Sequence, residues 1–258
     1  GEARHEVIGL WPLPGPPGVC IPPDPPKERS GNPASVPRPR PSRADTYVEL
    51  HARSAFSFLR GASDPEDLAA AALARKLPAV ALLDRDGVYG APRFYSSSHE
   101  NQFAVRPRVG AEITMEDGSV VPLLAATRAG YQNLCQLITE AKLTPRAPEL
   151  ALSDLPPGVD PHERKRPSFA TWSELARFSE GLIAFTGDEE GPVRRAWRTA
   201  GAAAAGAALE KLAAIFTPAG SASSSDPAHA RLFVELQRHR LRGEEREVGF
   251  LRDLAAAQ

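Results

Sequence analysis

The chain has 258 residues, 42% hydrophobic and 24% charged, with a formal net charge of −1. That length allows one large domain or two small ones, and the apolar share supports a real core. No run approaches the roughly 18–20 apolar residues of a membrane span, no basic segment leads into an apolar one as in a secretory signal, and near-neutral charge excludes nucleic-acid binding by global charge alone. Two cysteines, Cys20 and Cys135, are too few for a disulfide scaffold or a cysteine zinc site, so the chain reads as cytoplasmic.

Twelve of the 26 prolines fall within residues 1–44, in runs such as Pro22-Pro23-Asp24-Pro25-Pro26. Proline lacks the amide hydrogen and fixes φ, so this stretch is expected to be a disordered, Pro-rich tail, with an SH3-type ligand as a second reading. The folded domain is expected over residues 45–258. Short apolar runs recur there at 47–50, 79–83, 109–113, 120–126, 182–185 and 232–236 and predict strands. Ser63-Asp64-Pro65-Glu66 has the form of a capping box opening an alanine-rich helix to about Lys76. Thr171-Trp172-Ser173-Glu174 repeats that form before a shorter helix. Residues 192–216 predict one long helix carrying Gly201 and Gly206, and a last helix begins near Gly243. Residues 144–170 and 217–228 are expected to be surface loops. Alternating strands and helices indicate an α/β fold with mainly parallel strands.

Three strand ends carry polar groups: Glu49-Leu50-His51-Ala52-Arg53-Ser54, Leu83-Asp84-Arg85-Asp86-Gly87 and Val109-Gly110-Ala111-Glu112. Parallel strands place their C-terminal ends on one side, where sites are built. His51, Asp84 and Glu112 can therefore converge. Loop capping is the plainer reading of each one alone.

Those three stretches resemble the PHP (polymerase and histidinol phosphatase) domain as it occurs at the N-terminus of bacterial C-family DNA polymerases of the polymerase III alpha type. Gly130-Tyr131-Gln132-Asn133-Leu134, Gly181–Gly187 and Val234–His239 fit the same family in the same order, over about residues 46–256. Phe56-Ser57-Phe58-Leu59-Arg60-Gly61-Ala62-Ser63 and Asp84-Arg85-Asp86-Gly87 resemble its error-prone branch. The resemblance implies a distorted (β/α)7-type barrel, here incomplete at the C-terminus, with polymerase palm, fingers and thumb absent. It also implies a metal cluster, whose remnant ligands would be His51, Asp84, Glu112 and His239. Arg53, Arg60 and Arg85 stand where further ligands belong.

A guanidinium stays protonated and offers no lone pair, so these arginines oppose a cation rather than bind one. The expectation is an ion-pair network in which arginine forks neutralise Asp84, Asp86 and Glu112; arginines turned to solvent are the alternative. No catalytic residue and no obligate small-molecule cofactor is expected in this chain, and magnesium would serve only the full-length family polymerase. DNA and lesion-bypass accessory proteins would be partners through that larger protein, with no membrane contact. The chain would be a structural platform. A stand-alone PHP phosphoesterase or 3′–5′ nuclease using zinc or manganese is the alternative function. A third reading makes Arg53, Arg60, Arg85, Arg93, Arg106 and Arg108 a phosphate-facing patch.

Overall fold

The computed structural model describes residues 47–102, 104–144, 168–217, 230–239 and 242–256. The expected tail over 1–44 lies outside the described residues, as do nearly all of the two expected loops. The six apolar runs each hold a strand: β1 (Glu49–Ala52), β2 (Ala79–Arg85), β3 (Arg106–Thr114), β4 (Val120–Ala125), β5 (Leu182–Phe185) and β6 (Leu232–Phe233). They form one six-stranded open sheet in chain order.

The helices are α1 (Pro65–Ala74), α2 (Ala91–Glu100), α3 (Arg128–Leu143), α4 (Trp172–Arg177), α5 (Pro192–Ala200), α6 (Ala202–Phe216) and α7 (Glu244–Ala256). The capping box at Thr171 is fully made, with reciprocal bonds between Thr171 and Glu174. The one expected at Ser63 is not. Asp64 is the N-cap residue and makes no side-chain cap bond, while Glu66 turns to Arg93. The long helix expected over 192–216 is two helices, because Gly201 adopts φ +83° and breaks the hydrogen-bond ladder. Gly206 sits within α6 and meets nothing, so it costs propensity without breaking the helix.

The sheet is mainly parallel, as expected, with one strand reversed. β1, β2 and β3 pair in parallel, as do β5 and β6, but β4 runs antiparallel to both its neighbours. The reason is the short connection after β3, closed by Met115 N–H donating to Ser119 O at 2.8 Å. A parallel crossover needs a dozen or more residues.

Alternation along the strands sorts the side chains onto two faces. Val80 and Leu82 of β2 pack with Ala69, Ala72 and Phe94 of the first two helices. Ala111, Ile113, Val121 and Leu123 pack with Leu134, Leu137, Leu209 and Leu212 of the helices that follow. Each fully buried leucine or phenylalanine contributes about 1.5–3 kcal/mol, so this helix-covered face holds the fold together. The opposite, inner face carries a smaller cluster of Ala81, Leu83, Leu124 and Phe185. The sheet curls about that face until β1 and the chain beyond β6 come within hydrogen-bond distance, His51 to Glu235 at 2.8 Å. Between those two edges lies a cavity of about 840 Å³ lined by Leu50, His51, Ile183, Phe233 and Glu235.

Candidate functional site

At the C-terminal ends of β1, β2 and β3, polar groups replace the apolar residues of the inner face. Register settles which ones. Arg85 lies opposite Glu112, whereas Asp84 lies opposite Ala111. Neighbours along a strand face opposite ways, so Arg85 and Glu112 share the inner face while Asp84 points to the helix-covered side.

Glu112, fully buried, is the hub. Its Oε1 accepts from His51 Nε2 at 2.7 Å and from Arg53 Nε at 2.8 Å, and its Oε2 accepts from Arg85 Nε at 2.9 Å. A second carboxylate shell comes from the loop after β5. Asp188 pairs with Arg53, and Glu190 pairs with Arg85 at 2.7 Å and with Arg60 at 2.6 Å. Glu189 lies 3.6 Å from Arg60. Gly191 closes that loop, since a Cβ there would come within 2.0 Å of Thr186 O. On the other side His51 Nδ1 meets Glu235 Oε1 at 2.8 Å. Glu235 is held by its own N–H donating to Thr186 Oγ1 at 2.9 Å.

Both nitrogens of His51 thus face carboxylate oxygens, which only accept. A neutral imidazole has one N–H, so the ring is an imidazolium. Burial works against that charge, but the hydrogen bonds to Glu112 and Glu235 outweigh it and raise its pKa to about 9. Burial likewise works against the Glu112 carboxylate, and the bonds from His51 and Arg53 overcome it, lowering its pKa to about 2. The Arg53 and Arg85 guanidinium pKa values are raised too, the carboxylates prevailing over burial. Four cationic groups are interleaved with five carboxylates, and Coulomb attraction in a poorly hydrated site does the stabilising.

Asp84 is satisfied differently. It accepts the Ser54 N–H at 2.8 Å and the Ser54 hydroxyl at 2.8 Å, and the Ser57 hydroxyl at 2.7 Å, all buried. Asp86 accepts from the Thr114 N–H and hydroxyl, each at 2.8 Å. The expected grouping of Asp84, Asp86 and Glu112 under shared arginines is therefore corrected: only Glu112 takes arginine forks. His239 also stands apart. Its half-exposed side chain lies 3.4 Å from Glu244, while Glu235 takes the place facing His51.

Sequence reasoning missed Asp188, Glu189, Glu190, Glu235, Ser54 and Ser57. Signals were present: an acidic triplet beginning three residues beyond the end of β5, and Glu235 two residues beyond Phe233, on the same alternation. What no local pattern carries is that both segments reach the ends of β1 and β2.

The residues do not fit a divalent cation. Every oxygen of Glu112 and both nitrogens of His51 are engaged, and a cation among them would sit beside Arg53 and Arg85. Among the described residues no group of three or more His, Cys, Asp or Glu side chains is placed to hold a metal ion. No helix among them is long and apolar enough to cross a membrane.

The sequence profile of the PHP domain matches residues 49–239. The error-prone DNA polymerase of Symbiobacterium thermophilum is 38% identical over 214 residues, covering 82% of this chain and 18% of that one. That of Mycobacterium bovis is 33% identical over 252 residues, covering 93% and 20%. DNA polymerase III subunit alpha of Caulobacter vibrioides is 32% identical over 206 residues, covering 76% and 15%. The chain thus spans about a fifth or less of the length of these relatives. A solved structure from Bifidobacterium adolescentis, described as a metal-dependent phosphoesterase, is 15% identical with a TM-score of 0.36, covering 56% of this chain and 68% of that one.

Proposed function

The chain belongs to the PHP domain family, and on that premise we propose that it serves as the structural platform of a C-family, error-prone DNA polymerase, its ancestral metal centre replaced by an ion-pair core. The observation that carries the reading is Glu112: a buried carboxylate at a strand end, with His51, Arg53 and Arg85 all directed at it. A hydrolytic PHP site uses its strand-end groups to hold metal and activate water. Here the same positions neutralise one another. His51 is protonated near neutral pH and cannot accept a proton. The platform needs neither zinc nor manganese. Magnesium would be required only by a polymerase centre elsewhere in the longer protein, where DNA and lesion-bypass accessory proteins would be engaged.

Two assays test this. The chain, supplied with zinc or manganese, is expected to hydrolyse neither a nitrophenyl phosphate diester nor the 3′ end of a primed template above background. Metal-dependent turnover abolished by His51→Ala would overturn the reading in favour of a phosphoesterase or nuclease. In the full-length polymerase, Glu112→Ala is expected to lower the thermal midpoint without moving the KM for the incoming nucleotide.

A further inference from the structure

The structure divides the six arginines that the sequence offers as one phosphate-facing patch. Arg53, Arg60, Arg85 and Arg93 each pair with a carboxylate. Arg106 and Arg108 pair with none among the described residues. Both lie on β3, on the inner face with Glu112 but at the opposite end of the strand, and their partners in register on β2 are Ala79 and Ala81. Methyl groups flank them where acids flank Arg85. Arg108 is only partly exposed, and burial, with Arg106 adding to it, lowers its guanidinium pKa. Folding therefore holds two like charges together, with no counter-charge paired to them among the described residues. The Arg106 N–H donates to Pro78 O at 3.0 Å, which brings the turn holding Arg75 and Lys76 alongside. Glu49 of β1 is already engaged, by the Tyr47 hydroxyl at 2.6 Å and the His51 N–H at 2.9 Å.

We propose that Arg106 and Arg108 form a docking strip for the phosphate backbone of a single nucleic-acid strand, with Arg75 and Lys76 at its margin. Residues two apart on a strand are separated by about 7 Å, close to the spacing of successive phosphates on an extended nucleic-acid strand. A guanidinium grips phosphate with two parallel N–H donors. An acidic polypeptide would meet the same charge, but protein interfaces are built around apolar and aromatic side chains. Neither 75–81 nor 104–110 exposes a large apolar side chain. Contacts to phosphate alone make the binding independent of base sequence. The inference does not rest on the platform reading, since a phosphoesterase could carry the same strip.

The test titrates a fluorescein-labelled oligothymidylate with the chain at several salt concentrations, following anisotropy. Binding at low salt is expected, weakened at least about tenfold by Arg106→Ala with Arg108→Ala, with the slope of log K against log salt reduced by about 1 to 2. Because Arg106 is exposed, Arg106→Glu serves as a second variant that leaves the fold intact, and it should weaken binding as much. No binding at low salt, affinity and slope unmoved by both variants, or tighter binding of a labelled oligoglutamate than of the oligonucleotide would each overturn the proposal. The last outcome would assign the strip to an acidic protein partner.

Discussion

Asp84 and Glu112 are both almost wholly buried carboxylates, on adjacent strands at the same level of the sheet, yet they are stabilised in opposite ways. Asp84 faces the helices and is held by serine hydroxyls and a backbone N–H, with no cation on it. Glu112 faces the inner side and is held by three cations. The difference follows from what each face can deliver. The tight 54–61 turn lies over the helix side of β2 and brings short neutral donors, whereas the inner face gathers long side chains from β1, β2 and the loop after β5. Neutral donors stabilise one carboxylate locally. Shared cations tie four segments of the chain to a single residue.

Removing the hub should therefore cost most. Glu112→Ala removes the buried carboxylate that His51, Arg53 and Arg85 share and leaves each with one partner, Glu235, Asp188 and Glu190; the expected loss, read from urea unfolding, is about 3 kcal/mol, at the low end for a broken buried pair. Asp84→Ala leaves neutral hydroxyls that partly re-pair, so the same measurement should give about 1–3 kcal/mol. An Asp84 variant costing more than the Glu112 variant would invert the comparison.

Acidity offers a second way to sharpen it. The His51 pKa is raised from 6.5 to about 9, so its contribution is fully present below about pH 6.5 and is lost as pH rises through 9. The Glu112 pKa is lowered from 4.5 to about 2, so its contribution is present above about pH 4.5 and is lost as pH falls through 2. Stability from the inner face should be greatest between about pH 4.5 and 6.5. His51→Gln should flatten the alkaline limb, measured as thermal midpoint against pH, and move the acid limb to higher pH, because the His51 hydrogen bond helps to lower the Glu112 pKa. The smallest effect is expected at the rim. Arg60 is more than a third exposed, and Arg60→Ala should change stability by about 1 kcal/mol or less.

Much of this was legible in the sequence, and the part that was not is instructive. All six strands announced themselves as apolar runs, because a strand buried between layers must be apolar over four or more residues. The direction of β4 was not readable from its run, which looks the same whichever way the chain enters. His51, Glu112 and the three arginines could be named because strand-end position is a local property. Their partners Asp188, Glu190 and Glu235 lie 105 to 184 residues along the chain from the cations they pair with, and only the curl of the sheet brings them in. Asp84 was misassigned for a simpler reason. Naming Asp84 and Arg85 together passes over the two-residue alternation that sends them to opposite faces.

In the proposed platform, mutual ion pairing and not a metal satisfies the strand-end groups around Glu112. Thermal unfolding of the chain with excess chelator, and again with added zinc or manganese, tests it most directly when paired with elemental analysis of the dialysed protein. Mutual ion pairing predicts superimposable unfolding curves and less than a tenth of an equivalent of bound metal. One or more equivalents of metal, with a midpoint that falls on chelation and recovers on re-addition, would contradict it.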